Sequence, residues 1–207
     1  MTDPMNIFLL GGSGRTGRLV LDQALSRGHS VTTITRTPDT IRLSGSAHII
    51  VGNPLRLVVL APLLANQDVV ISCLGQRSAQ DANLLRDAAA VVVEAMSQAH
   101  VRRYIVVSQG LLFPSRNPII AIIRLMLARH VEDSTAMEAL IRAGDLDWTI
   151  VRPPRLKEGP SSGGYRIERG AAPRGSWAVQ YADLATFLLD EAENGNHKKE
   201  IVGITSA

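Results

Sequence analysis

The sequence has only one cysteine among its 207 residues, and its aromatic residues are few. Cys73 cannot form a disulfide within the chain, which is typical of proteins from a reducing compartment. Aromatic residues make up 4% of the chain, too few to predict a surface on which nucleic-acid bases stack. The 22 Lys and Arg are interspersed with 19 Asp and Glu, without a block of one sign. We therefore expect no nucleic acid as a partner.

Long hydrophobic runs are also missing. The longest apolar stretch, residues 118–128, is interrupted by Arg124 and is shorter than the roughly 20 residues of a membrane helix. The first residues include Asp3 and lack the basic segment of a signal peptide. The five histidines lack metal-ligand spacing, so no metal site is predicted. These absences predict a cytoplasmic protein that does not contact a membrane.

Short apolar segments alternate with helical patterns along the chain. We predict strands over 6–10, 30–35, 47–52, 68–75, 102–110, 147–154 and 199–204, with helical patterns between them. This order predicts a Rossmann-like α/β fold, with a doubly wound, mainly parallel sheet and helices on both faces. A length of 207 residues suits one domain, and 45% hydrophobic residues provide enough material for a core, so residues 1–207 are expected to form a single domain. Residues 155–176, rich in Gly, Ser, Pro and Arg, are expected to be an irregular loop on the substrate side.

The segment "GGSGRTG" follows the first predicted strand and opens the first predicted helix. Gly11, Gly14 and Gly17 have the spacing that allows a tight turn, close approach to a pyrophosphate and close helix packing. The helix N-terminus adds unpaired N–H groups and partial positive charge. The alternative is a glycine-rich turn without a ligand. A hydrolase elbow around Ser13 is excluded, because Arg15 occupies its last glycine position.

The end of the second predicted strand distinguishes the two nicotinamide dinucleotides. An acidic residue there binds the ribose hydroxyls of NAD, whereas a basic residue accepts the 2′-phosphate of NADP. This position holds Arg36, followed by Thr37, and no acid occurs before Asp39. Since a guanidinium pairs well with phosphate, we expect NADP(H) rather than NAD(H), with Arg42 as a second candidate. The alternative for Arg36 is a solvated surface arginine.

The order of "GGSGRTG", "TRT", "VGNP", "ISCLG", "VVSQG" and "DWTIVRPPRL" resembles the atypical short-chain dehydrogenases/reductases, NAD(P)H-binding proteins. Within them the chain is most similar to the flavin reductase/biliverdin-IXβ reductase branch, over nearly its whole length. The resemblance implies that NADPH binds at the carboxyl edge of the sheet. It implies cofactor contacts from Ser13, Gly14, Arg15 and Thr16 at the pyrophosphate, Asn53 at adenine, Leu74 and Gly75 at the ribose, and Pro153, Pro154 and Arg155 at the carboxamide. Asn53 departs from the family, which more often has Asp at this position.

A tyrosine–lysine pair, which transfers the proton in alcohol dehydrogenation by ordinary short-chain dehydrogenases, is absent. The fourth residue after the three tyrosines is Ser108, Arg169 and Ala185, respectively. A flavin, quinone or tetrapyrrole accepts hydride into a conjugated ring, and solvent supplies the proton. The chain is therefore predicted to be an oxidoreductase that orients a nicotinamide donor against a small planar acceptor.

Ser108 is the predicted catalytic residue, since the resemblance implies that it lies beside the nicotinamide. The alternative is a serine that caps the turn after its strand. Cys73 is expected to be an inert core residue, and Glu138 to lie on a solvated helix face rather than to donate a proton.

Candidate substrate contacts follow the same strands. Phe113 could stack on the planar acceptor or belong to the core, and Arg77 and Arg155 could bind its acidic groups or be surface arginines. Residues 118–128 could form an apolar wall, a dimer contact or, as we expect, a buried helix.

Three functions are compatible with this pattern. The first is an NADPH-dependent reductase of a flavin or similar acceptor, and the second is a redox sensor that binds NADP(H) without turnover. The third, a sugar-nucleotide epimerase or dehydratase, is disfavoured by the missing tyrosine pair and the short carboxyl-terminal region. The chain is expected to be a monomer or homodimer.

Overall fold

A computed structural model describes residues 3–36, 47–76, 82–175 and 177–207. The strands are β1 (Asn6–Leu10), β2 (Ser30–Thr35), β3 (His48–Val51), β4 (Val69–Ser72), β5 (Arg103–Val107), β6 (Asp147–Arg152), β7 (Arg155–Lys157), β8 (Tyr165–Arg169), β9 (Ala178–Gln180) and β10 (Glu200–Ser206). The helices are α1 (Arg15–Ser26), α2 (Leu57–Leu64), α3 (Leu84–Gln98), α4 (Pro118–Met126), α5 (Ala128–Ala143) and α6 (Tyr181–Asn194).

The main sheet has the strand order β3-β2-β1-β4-β5-β6-β10-β8 among the described residues. Its pairs from β3 to β10 are parallel, and β8 is antiparallel to β10. The order reverses at β1, where Leu10 lies opposite Ile34 on one side and Ser72 on the other. A reversal of this kind opens a crevice at the carboxyl ends of the strands, the usual ligand position in such sheets.

Both faces of the sheet are covered by helices. Ile7 and Leu9 of β1 belong to the core beneath α1 and α6, whereas Phe8 and Leu10 belong to the core beneath α2, α3 and α5. All four side chains are fully buried, which explains why β1 is continuously apolar. The predicted Rossmann-like, doubly wound and mainly parallel fold is confirmed.

The segment 155–176 differs from its prediction. It contains β7, which pairs with β9, and β8, which forms the edge of the main sheet beside β10. In β8 only Tyr165 and Ile167 pack against the core, and the other three residues are polar. Such an edge strand has too few apolar positions to be recognised from the sequence, so the prediction of an irregular loop was wrong.

The apolar segment 118–128 also differs from its expected place. In α4 only Ile120 is buried, while Ile119 and Ile122 are exposed. Leu125 and Met126 are 79% and 78% exposed. The expectation of a buried helix was therefore wrong, because the other helices already cover this face of the sheet. No helix within the described ranges has the length and hydrophobicity to cross a membrane.

Candidate functional site

The loop 11–17 turns the chain from β1 into α1. Gly11 has φ +82°, and its carbonyl oxygen accepts the N–H of Gly14 at 2.9 Å. A Cβ atom at Gly17 would lie 2.1 Å from that same oxygen, so α1 can start this close to the loop only with glycine there. Gly14 is the N-cap, and the first turn of α1 contains no acidic residue. The first N–H groups of α1 therefore form an uncapped helix end suited to an anion.

This helix end opens into a cleft of about 800 Å³ along the carboxyl ends of β1 to β4. Nine of the predicted cofactor residues line it: Gly11, Ser13, Gly14, Arg15, Thr16, Arg36, Asn53, Leu74 and Gly75. The volume is within the roughly 300–1,000 Å³ of small-molecule sites. The cleft thus collects residues from four strand ends that are far apart in the sequence.

The lining of this cleft is positively charged. Arg15, Arg18 and Arg36 contribute to it, and the lining includes no aspartate or glutamate from the described part of the chain. Arg36 is exposed and follows β2 directly. Such a lining favours a ligand with several negative charges. The candidates Thr37, Arg42 and Arg77 lie outside the described residues.

Asn53 forms the turn after β3. Its side-chain oxygen accepts the N–H of Leu55 at 3.0 Å, as in an Asx turn. Because the oxygen stabilises the turn, the amide nitrogen is the part of Asn53 suited to donate to a ligand.

Tyr181 was missed as a site residue by the sequence analysis. It is the first residue of α6 and lines the cleft, and the guanidinium of Arg15 lies 6.0 Å from its ring centre. Arg15 also pairs with Glu158 at 3.2 Å. Hydrogen bonding to Tyr181, followed by the charge of Glu158, raises the pKa of Arg15. The available signal was the position of Tyr181 at the start of a late helix, but only the packing of α6 beside α1 brings it to the glycine loop.

Cys73 is also part of the cleft rather than only of the core. Burial of its thiol raises the pKa to about 12, so the group stays protonated near neutral pH. This agrees with the expected lack of reactivity, since the thiolate is the reactive form.

The ends of β5 and β6 continue to pair beyond the strands. The N–H of Ser108 donates to Val151 and that of Gly110 to Pro153, both at 2.7 Å. Ser108, Pro153, Pro154 and Arg155 therefore lie at the same carboxyl edge as the cleft, although they are not among the residues that line it. Gly17 is not in the lining either, because it packs beneath the loop.

Ser108 is joined to a buried ion pair. Its hydroxyl donates to Glu138 Oε1 at 2.6 Å, and Arg152 donates to both oxygens of that carboxylate, at 2.9 and 2.6 Å. Glu138 is 4% exposed, so the prediction of a solvated helix face was wrong. The error arises because the polar β6 residue Arg152 supplies a partner inside the fold, which helical periodicity does not indicate.

The position of Phe113 favours the alternative considered for it, a packing role. The ring is 5% exposed, and the guanidinium of Arg152 lies 4.9 Å from its centre. This cation–π contact occupies a ring face that would otherwise be offered to an acceptor.

A second cleft of about 380 Å³ lies beside α4. Leu125, Met126 and Ala128 give it an apolar side, and Arg129 and His130 are also in its lining. Gln76 lines both clefts, and its side-chain amide donates to the buried carboxylate of Asp133. The two clefts are therefore adjacent, and they share the side chain of Gln76, which Asp133 holds in place.

A family model described as NAD(P)H-binding matches residues 11–195. The chain belongs to this family. The NAD(P)H-binding family accounts for the features just described, because a nicotinamide dinucleotide carries the pyrophosphate that an uncapped, glycine-lined helix end binds. The NAD(P)H-binding family that the sequence resemblance implied is thereby confirmed.

Relatives of this NAD(P)H-binding chain match it from end to end. The Bacillus subtilis protein YwnB is 25% identical over 214 residues, which cover 98% of this chain and 99% of that protein. The oxidoreductase YlbE from Lactococcus lactis has a TM-score of 0.86 at 17% identity, covering 98% of this chain and 91% of its own. A proposed NADH-flavin reductase from Streptococcus pneumoniae has a TM-score of 0.83 at 22% identity, covering 98% and 100%. The two solved structures share the fold.

Proposed function

We propose that this protein is an NADPH-dependent reductase that transfers hydride to a flavin or a similar planar conjugated acceptor, such as a quinone or tetrapyrrole. The observation that carries the proposal is the cleft at the N-terminus of α1, which contains Arg36 and no acidic residue among its described lining. An NAD-specific site of this fold ordinarily has an acidic residue at the position of Arg36.

Each part of the cofactor has a suited partner in this chain. Ser13, Gly14, Arg15 and Thr16 would hold the pyrophosphate, and Arg36 the 2′-phosphate, with Thr37 adjacent in sequence. Asn53 would donate to the adenine, and Leu74 and Gly75 would cover its ribose. When bound, the reduced nicotinamide supplies the hydride.

The tyrosines support a planar acceptor rather than an alcohol or ketone. Tyr104 is 2% exposed, and its burial raises its pKa. Tyr165 donates its hydroxyl to Asp190 at 2.7 Å, and Tyr181 lies beside Arg15. None of the three precedes a lysine by four residues. A reaction that needs a tyrosine acid is therefore disfavoured.

The second cleft is the proposed position of the acceptor. Leu125 and Met126 offer apolar surface for a flat ring, and Arg129 offers charge for a carboxylate or phosphate. Arg77 and Arg155 are further candidates for such anionic groups, and residues 155–176 remain the proposed substrate-side segment. The fold similarity to a proposed NADH-flavin reductase also supports a flavin among the acceptors.

The proposal is tested by mixing purified protein with NADPH and a panel of FMN, FAD, riboflavin, a water-soluble quinone and biliverdin. NADPH oxidation, followed by its absorbance, is expected with at least one acceptor and more slowly with NADH. Enzyme boiled before the assay is the control for direct reduction of the acceptor. Tight NADPH binding without turnover of any acceptor in the panel would overturn the proposal that the protein is a reductase.

The exposed side of α4 supports a second candidate, an NADP(H)-binding redox sensor without turnover. Its apolar residues Ile119, Ile122, Leu125 and Met126 would then contact a partner protein or a second copy of this chain. A cytoplasmic location and a monomeric or homodimeric state remain predictions.

A further inference from the structure

Three residues from different elements meet beside the carboxyl ends of β5 and β6. Ser108 follows β5, Glu138 lies on α5 and Arg152 ends β6. Ser108 is half-buried, whereas the side chains of Glu138 and Arg152 are 5% and 13% exposed. The ion pair is therefore largely enclosed, and the half-buried serine lies beside it.

The ion pair determines how the Ser108 hydroxyl can bond. Arg152 reaches Glu138 through Nε and Nη2, so the guanidinium holds both carboxylate oxygens. A carboxylate only accepts, and the hydroxyl has a single hydrogen, which it gives to Glu138 at 2.6 Å. What remains on Ser108 is the accepting capacity of its oxygen.

The surroundings of Arg152 make this arrangement rigid. Its guanidinium lies over the buried ring of Phe113. The backbone N–H of Ser108 is bonded to Val151, the neighbour of Arg152 in β6, at 2.7 Å. Breaking the pair would leave a buried charge without a partner, which is strongly unfavourable. With the pair fixed, turning the Ser108 hydrogen towards a ligand would cost the buried Glu138 Oε1 one of its two donors, so this reorientation is disfavoured.

We propose that Glu138, held by Arg152, fixes the Ser108 hydroxyl as a hydrogen-bond acceptor, so that this end of the site recognises an N–H donor on the bound ligand. This inference rests on the proposed function, because it needs a nicotinamide cofactor and an acceptor. Two ligands can offer that N–H: the carboxamide of the nicotinamide and a ring N–H of the acceptor. Ser108 contacts the ligand in this proposal, and Glu138 is a positioning residue.

The same arrangement disfavours Ser108 as a proton source. Its proton would have to leave an oxygen that already donates to a carboxylate, and the product would be two adjacent anions. Arg152 neutralises only one of them. In this proposal Ser108 therefore contributes recognition and not the proton, which solvent supplies.

The cofactor is tested by calorimetric titration, which needs no turnover. The probes are NADP⁺ and its 3-acetylpyridine analogue, whose methyl group replaces the carboxamide nitrogen. If the carboxamide is the donor, the protein should bind NADP⁺ about 2- to 10-fold more tightly than the analogue, a ratio typical of one hydrogen bond. Ser108→Ala should bring this ratio close to one, and Ser108→Thr should retain it. Thr135→Ala, which removes an exposed hydroxyl on α5 that bonds only the backbone of Val131 in the same helix, is the matched control.

The acceptor is tested with riboflavin and 3-methylriboflavin, which lacks the N3–H, each titrated into the complex with NADP⁺. Here the expected preference for riboflavin is also about 2- to 10-fold and is lost in Ser108→Ala. Glu138→Gln, whose folding is checked by thermal unfolding, no longer holds the Ser108 hydroxyl as an acceptor. The preference for riboflavin over 3-methylriboflavin should therefore shrink in this variant.

A preference that depends on Ser108 in either series supports the proposal and identifies the ligand concerned. Ratios that are equal in the unmodified protein and Ser108→Ala in both series overturn it. Failure of the reductase proposal is a separate result, since NADPH would then bind with these ratios and reduce no acceptor.

Discussion

Arg36 is the residue on which the preference for NADPH depends. It is exposed at the end of β2 and belongs to a cleft lining with no described acidic residue. Arg36→Ala should raise the Kd for NADPH about tenfold, the effect of a lost charge-assisted hydrogen bond, and change that for NADH less than about twofold. Fluorescence titration with both dinucleotides measures this. Arg142→Ala, an exposed change on α5, is the control, and equal losses for NADPH and NADH would contradict the assignment.

Gly17 and Gly75 form a second comparison between single residues. A Cβ at Gly17 would overlap the Gly11 carbonyl, whereas one at Gly75 meets no atom within 4 Å. Gly17→Ala should lower the free energy of unfolding by about 1–3 kcal/mol and weaken cofactor binding, because the start of α1 must shift. Gly75→Ala should change stability by less than about 0.5 kcal/mol. Urea unfolding of both variants measures this, and similar losses in the two would show that the close packing at Gly17 is unimportant.

The sequence alone was sufficient to predict the position of those cleft residues that directly follow a strand. The glycine spacing and Arg36 each follow a recognisable strand, so their positions at one sheet edge could be predicted. Tyr181 and the pair Glu138–Arg152 could not, because their roles depend on contacts between elements far apart in the chain. Phe113 shows the same limit, since an aromatic residue after a strand has the same pattern whether it packs inward or faces a ligand.

At the scale of elements, α6 is tied to the segment before β8 through Asp183. This buried carboxylate accepts hydrogen bonds from Ser161, Ser162 and, in β10, Ser206. Burial opposes its ionisation, but the serine hydrogen bonds outweigh burial and hold the pKa of Asp183 below its usual range. A lowered folded-state pKa contributes stability above the unfolded value, and this stability is lost as the pH falls through the folded value.

Asp183→Asn should therefore lower the free energy of unfolding by about 1–3 kcal/mol at pH 7, since buried hydrogen-bond acceptors are lost. The difference from the unmodified protein should shrink as the pH falls below about 4, because the carboxylate is protonated first in the unfolded chain and, at lower pH, in the folded protein. Urea unfolding at pH 7 and pH 3 measures both effects. Asp145→Asn, at an exposed pair with Arg102, should change the stability little, and a larger loss there than at Asp183 would refute the tie.

The buried strands were easier to predict from the sequence than the exposed elements. The strands β1, β2 and β4 to β6 have continuous apolar sequence because both sheet faces are covered, and each was found near its predicted position. The edge strand β8 has mostly polar sequence, and β7 and β9 are only three residues long, so none of the three was predicted. The helix α4 shows the opposite error. Its apolar sequence indicated burial, but the other helices do not pack over it, so most of its apolar residues are exposed.

Across the whole molecule, one buried charged cluster lies at the amino ends of the strands, away from the cleft. At the amino end of β5, Arg103 donates to the buried carboxylate of Glu191 at 2.6 Å, and His197 Nδ1 lies 2.6 Å from the same group. Glu191→Ala should lower the free energy of unfolding by about 3–5 kcal/mol, because Arg103 loses its buried partner. The folded variant should bind NADPH with unchanged affinity. Chemical unfolding and titration at low temperature measure the two properties, and a parallel loss of affinity would contradict this separation.

Ligand-dependent thermal stability tests the cofactor preference on the intact molecule. A ligand at about 100 times its Kd stabilises the folded state by about 2.7 kcal/mol, which raises Tm by roughly 5–10 °C in a chain of this size. NADPH should produce this rise and equimolar NADH a smaller one, because only NADPH has the phosphate for Arg36. Glu191→Ala should start from a lower Tm and keep the rise, whereas Gly17→Ala should lose part of it. Equal rises with NADPH and NADH would mean that the charge of the cleft recognises the pyrophosphate alone.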